Sequence, residues 1–113
     1  MKIVKDLISI NELKEMSEKM FGKLVKAVVD IELEIIAVDS ELHVDLELLL
    51  LDNESVQSNL WGINFHPHSL LKEEFIEFDS MINIRPAIGN RSRYVESDLI
   101  RKKIINIIIK LVQ

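Results

Sequence analysis

The sequence contains no cysteine, which excludes a disulfide framework, a thiolate metal site and a cysteine nucleophile. Glycine and proline are scarce, at three and two residues in 113, so collagen-like and low-complexity classes are excluded as well. No long hydrophobic run is present. The longest apolar-rich stretch, Ile104 to Val112, is about half of the roughly 20 residues that a membrane crossing needs. The first residues, Met1 to Asp6, reach an acid too early for a signal peptide. A cytoplasmic protein with no membrane association is expected. What is present is enough apolar material for a core: 48% of residues are hydrophobic and the mean hydropathy is +0.15, which excludes disorder by low hydrophobicity. The length suits a single domain over residues 1–113.

Charge is unevenly distributed. Residues 1–84 carry seven Lys/Arg against seventeen Asp/Glu, whereas residues 85–113 carry seven against two. A basic end on an acidic body marks either an anion-binding segment or two parts of one fold that attract each other. Nucleic acid is the less favoured partner. The acidic body would repel a long polyanion, and among the 5% aromatic residues only Tyr94 lies near the arginines, where a single-strand binder offers several stacking surfaces.

The hydrophobic pattern divides the chain into eight elements. A short apolar-mixed segment precedes Ser9, which with Glu12 forms a capping box, and Ile8 and Leu13 have the spacing of a hydrophobic staple. Ile10, Leu13, Met16 and Met20 then follow helical spacing, and Gly22 is placed to end the helix. From Leu24 the period changes to two, predicting a strand through Ile31 and a second at Ile35 to Val38, joined by a hairpin around Leu33 and Glu34, with one long bent strand as the alternative because the turn lacks Gly or Asn. Residues 40–52 alternate like a strand but consist of good helix formers, with Asp39 or Ser40 as caps, and are read as helix. Leu60 to Phe65 reads as a strand, Phe75 to Arg85 as another, and Ser97 caps a final helix. This order predicts an α+β fold, a mostly antiparallel four- or five-stranded sheet with helices packed on one face. The final helix is apolar over most of its circumference, so a two-fold homodimer through it is expected, the alternative being a central helix covered on several sides within the monomer.

The stretch from Ile82 to Arg93 is the most distinctive. Gly89 and Asn90 both tolerate positive φ and can present backbone N–H groups to an anion, while Arg85, Arg91 and Arg93 supply forked donors for phosphate or carboxylate. Asn83 and Asp79 are placed to orient the rest of a ligand. The competing reading ties the arginines to Asp30, Glu32 or Glu77 within the fold. Glu77 and Asp79 are acid–base candidates with His43 as an auxiliary, weighed against a solvated sheet face. Asp39, His43 and Glu47 share one face if residues 40–52 are helical, and His66 and His68 flank Pro67. For both groups, salt-bridged or solvated side chains are the simpler reading, and no metal site is assigned.

The blocks Lys26 to Glu32, Glu41 to His43, Leu60 to Asn64, Phe75 to Pro86 and Gly89 to Arg93 together resemble a family of short prokaryotic proteins defined only as a domain of unknown function. The resemblance spans nearly the whole chain. It implies no activity and assigns no functional residue; such proteins commonly carry a glycine in the hairpin turn where this chain has Leu33 and Glu34. The function expected from the residues is a small module binding an anionic, phosphate- or carboxylate-bearing ligand through the Arg85 to Arg93 loop. Two alternatives stand beside it. One is a metal-assisted or acid–base hydrolase of a phosphorylated or nucleotide-like substrate, which requires Asp79 and His43 to meet in one pocket. The other is a dimeric structural or interaction protein.

Overall fold

The computed structural model of the chain describes residues 1–20 and 23–113. In chain order its elements are β1 (Lys2–Val4), α1 (Ile10–Glu18), β2 (Val25–Asp30), β3 (Ile35–Val38), α2 (His43–Leu51), β4 (Leu60–Phe65), β5 (Ile76–Glu77) and α3 (Asp98–Leu111). The strands form one antiparallel sheet in the order β1-β3-β2-β4-β5. The α+β class and the five-stranded antiparallel sheet are those the hydrophobic pattern predicts. Among the described residues no helix is long and apolar enough to cross a membrane.

The helices do not share one face, as the sequence suggested. Val25, Ala27, Val29, Ile36, Val38, Trp61, Ile63 and Phe65 pack with Leu13 and Met16 of α1 and Ile104, Ile107, Ile108 and Leu111 of α3. On the opposite face, Val28, Ile35, Ala37 and Leu60 pack with Leu46 and Leu50 of α2. The reason lies in β2, β3 and β4, whose residues are apolar on both sides and would leave one layer wet under one-sided cover. Because β3 and β4 flank β2 and both run antiparallel to it, the segment joining them must cross over β2. That segment is α2. Its fully buried Leu46 and Leu50 each contribute about 2 kcal/mol by leaving water. The same packing absorbs most of the apolar arc of α3, of which Ile105 and Ile109 remain exposed.

Local chemistry explains the element ends. The Ser9 hydroxyl caps α1 by accepting from the Glu12 N–H at 3.0 Å, but Glu12 does not reach back; its carboxylate meets Lys2 Nζ at 2.6 Å. The expected stop at Gly22 lies outside the described residues. The α2 N-cap is Leu42, without a side-chain bond, where Asp39 or Ser40 was expected; the Ser40 hydroxyl instead accepts from the Leu42 N–H. Ser97 caps α3 as its sequence predicts.

The hairpin around Leu33 and Glu34 forms without glycine because Asp30 organises it. One oxygen of this fully buried carboxylate accepts from the N–H groups of Glu32 and Leu33, each at 2.9 Å, and the other accepts from the Ser55 hydroxyl at 2.6 Å. Glu34 takes the left-handed position, with φ of 56°. Relief of roughly 1–2 kcal/mol of left-handed strain should exceed the extra unfolded freedom of glycine and the loss of the exposed Glu34–Lys110 pair. Glu34→Gly is therefore expected to raise stability by about 0.5 kcal/mol, read as a melting temperature higher by a few degrees.

The strand expected from Phe75 to Arg85 is largely absent. Only Ile76 and Glu77 pair, with Phe65 and Asn64; the chain then turns through 3-10 segments at Met81–Asn83 and Pro86–Ile88. Side chains take over where the ladder stops. The Asn83 carboxamide accepts from the Gly62 N–H at 2.8 Å and donates to the Gly62 carbonyl at 2.9 Å. Two residues on, Arg85 donates to the Leu60 carbonyl at 2.6 Å. The free edge of β4 is thus satisfied by two side chains instead of a backbone, and the 3-10 turn can pack close because Gly62 has no Cβ.

Candidate functional site

The Arg85 to Arg93 loop is held largely by its own polar groups. Arg85 donates to the carbonyls of Gln57 and Leu60, and its guanidinium carbon lies 4.3 Å from the centre of the Trp61 ring. Gly89 takes φ of 89°. The buried Asn90 carboxamide donates to the carbonyls of Asn83, Ser92 and Tyr94 and accepts from the Glu96 N–H. Glu96 fills the role that the sequence suggested for a ligand: its carboxylate accepts from the Arg91 N–H at 2.9 Å and the Ser92 hydroxyl at 2.7 Å. Those bonds, the hydroxyl first, hold Glu96 below the usual carboxylate range. Arg93 forms a two-pronged pair with Asp79, at 2.7 and 3.0 Å, so its partner is neither Asp30, Glu32 nor Glu77. Among the described residues the Arg91 guanidinium has no hydrogen-bond partner in the chain.

A cleft of about 580 Å³ lies on the α2 side of the sheet. Lys26 from β2, Asn64 from β4 and His43 from the first turn of α2 line it together with Glu77, Asp79 and Arg93. Asp79 and His43 therefore do meet in one concavity. Lys26 and Asn64 are cross-strand partners, which places a cation and a carboxamide side by side on the α2 face of the sheet.

The state of His43 follows from one contact. Its Nε2 lies 2.8 Å from the Ile63 carbonyl oxygen, and a carbonyl only accepts, so Nε2 carries the proton and Nδ1 presents a lone pair. Burial pushes this imidazole below its ordinary value of 6.5, with Lys26 acting in the same direction, against the Ile63 bond and the attraction of Asp79. His43 is neutral at pH 7.

Asn64 is 5% exposed. Its Nδ2 donates to Glu77 Oε1 at 2.9 Å and to the Asp79 carbonyl at 3.1 Å, while its Oδ1 is buried without a donor. Burial alone would raise the Glu77 carboxyl, but the bonds from Asn64 and His66 outweigh it and hold Glu77 below the ordinary carboxylate range. An acceptor as buried as Asn64 Oδ1 costs about 1–3 kcal/mol when unpaired. Asn64 lines the cleft, with this oxygen beneath the accessible surface.

The metal-like spacings resolve differently. Asp39 precedes α2 with φ of 74°, His43 is bound to Ile63, and Glu47 is buried. His68 pairs with Glu18 at 2.9 Å and His66 with Glu77 at 3.1 Å. Among the described residues no three His, Asp or Glu side chains stand close enough to hold a metal ion.

Sequence reasoning missed Lys26 and Asn64. Asn64 is the one polar side chain of β4 and Lys26 shares β2 with Asp30, so the local signal is weak; their adjacency depends on the β2–β4 register. Searches of curated proteins and of solved structures find no match to this chain. A family model described as a protein of unknown function (DUF5674) matches residues 2–111. The chain belongs to that family.

Proposed function

We propose that the cleft binds a small organic anion that also carries a hydroxyl or amine group. The convergence of Lys26, His43, Asn64 and the Arg93–Asp79 pair on one concavity carries this reading. The phosphate or carboxylate of the ligand meets Lys26 and the outer edge of Arg93. Its hydroxyl or amine donates to His43 Nδ1 and, with a small turn of the carboxamide, to the unpaired Asn64 Oδ1. In this reading the basic loop is a support: Asn83, Arg85 and Asn90 fix the segment that delivers Asp79 and Arg93, and Gly89 allows its turn.

A second reading, acid–base hydrolysis of a phosphorylated substrate, is favoured by the neutral His43 with its protonated Nε2 held by Ile63. His43 Nδ1 then removes a proton from an attacking water. Asp79 and Glu77, already engaged by Arg93 and by Asn64 and His66, serve as anchors and not as the acid–base pair.

Thermal melts with inorganic phosphate, a hexose phosphate, hydroxycarboxylates and a short RNA test the binding. A ligand present at 100 times its Kd stabilises the fold by about 2.7 kcal/mol. Lys26→Gln is expected to abolish the ligand-induced shift with little change in the unliganded melt, while Arg91→Ala retains it. The reverse pattern would place binding on the loop. Acid should weaken the complex as pH falls through the lowered His43 value, because protonated Nδ1 no longer accepts. The stability of the unliganded protein has the same sign. The unfolded chain takes up this proton first, near 6.5, so the contribution of His43 is intact above that pH and is lost below it. His43→Gln should remove that part of the slope.

A further inference from the structure

The outer face of α2 has no cover. Leu46 and Leu50 fill the core beneath it, yet Val44 and Leu48, one turn apart on the outside, are exposed, Leu48 at 52%. Leu42 precedes them. Met81, 65% exposed, and Ile84 extend the strip from the 3-10 turn packed beside α2. A helix that carries apolar side chains on its outer as well as its inner side is normally covered on both. These five side chains present roughly 450 Å², the scale of the largest apolar patch on a typical monomer and of a recognition site. The same area supplies the apolar centre of an interface burying about 800 Å² per partner. By comparison, α3 exposes Ile105 and Ile109 among Lys102, Lys103, Asn106 and Lys110.

We propose that a second copy of this chain docks on the Leu42, Val44, Leu48, Met81 and Ile84 strip through a two-fold axis. Charge selects the occupant. Between Lys26 and Lys72 the chain carries nine Asp/Glu and no Lys/Arg. Among the described residues, Asp45 and Asp52 on the α2 side have no cationic partner. The other side runs along the chain from Ile84 to Arg91, whose guanidinium makes no ion pair among them and feels only the charge of Glu96, the carboxylate bonded to its backbone N–H. A two-fold axis through the strip lays α2 of each copy against the 81–91 segment of the other, so each acid-to-arginine contact is made twice. Such a surface complements itself. Leu42, Val44 and Met81 also line the cleft, so the second copy builds its outer wall. The docking stands whatever the cleft binds.

Light scattering and sedimentation of the full chain from 1 to 100 μM test it. The expected mass is twice 13.1 kDa. Leu48→Glu and Met81→Glu should each return it to the monomer mass with unchanged far-UV circular dichroism, while Ile109→Glu stays dimeric. Should Leu48→Glu fail to fold, the largely exposed Met81→Glu decides alone. Asp52→Arg and Arg91→Asp should each weaken association at least tenfold and, when combined, restore it. A monomer at 100 μM overturns the proposal, as does a dimer that survives both strip variants or is lost in Ile109→Glu.

Discussion

Asn83→Ala is expected to be among the most damaging single substitutions in this chain, lowering stability by about 4 kcal/mol. The carboxamide makes three bonds at a fully buried position: from the Gly62 N–H, to the Gly62 carbonyl and to the Arg93 carbonyl at 2.9 Å. Alanine removes all three and strands a buried donor and acceptor on β4, each at about 1–3 kcal/mol. At this chain length the melting temperature should fall by roughly 15–25 °C. Asn83→Asp should be no better, since a carboxylate keeps the bond to the Gly62 N–H but sets negative charge against two carbonyl oxygens. Urea titration provides the measurement. A loss below 1 kcal/mol would mean that the β4 edge is held by something other than this side chain.

Gly62→Ala attacks the same contact from the other side and should cost about 3 kcal/mol. A Cβ at this position would collide with Ser80 Cβ and lie 2.6 Å from Ser80 Oγ and 3.1 Å from Ile82 Cγ1. Ser80 Cβ is fixed to a backbone whose N–H is bonded to the Arg93 carbonyl, so rotating a side chain gives no relief. The 79–83 segment must move, and the Asn83 bonds move with it. Ser80→Gly in the Gly62→Ala background should therefore recover part of the loss. A double-mutant cycle measures this: the double variant should be more stable than the sum of the single losses allows. Simple additivity would place the strain elsewhere.

How much of this was legible in the sequence depends on the range of the interaction that decides each feature. Apart from β5, the elements follow from local periods, with caps at Ser9 and Ser97, and α2 from the helix preference of its Leu and Glu residues. The two-sided cover of the sheet is also legible, in Val28, Ile35 and Ala37, apolar residues at positions where one-sided alternation calls for polar ones. The segment after Glu77 misled for a physical reason. Its two-residue period is genuine, since Asn83 and Arg85 both address the β4 edge, but they do so through side chains, and hydropathy records only that they alternate. Lys26 and Asn64 were beyond any local pattern because their meeting is a matter of register between segments far apart in sequence. The arginine loop is recognisable by residue type, whereas nothing in residue type marks Glu96 as the carboxylate that fills it.

The closure of β4 has a consequence for aggregation. Leu60 to Phe65 contains no charge and no proline and is rich in β-forming residues, the composition from which stacked cross-β assemblies grow. With β5 only two residues long, half of that strand would otherwise display its backbone as a template for a further chain. Carboxamide and guanidinium groups bond to that backbone but cannot propagate a ladder. Asn83 and Arg85 thus act as chain terminators for strand addition, and destabilised forms of this protein should begin to polymerise where those two side chains let go.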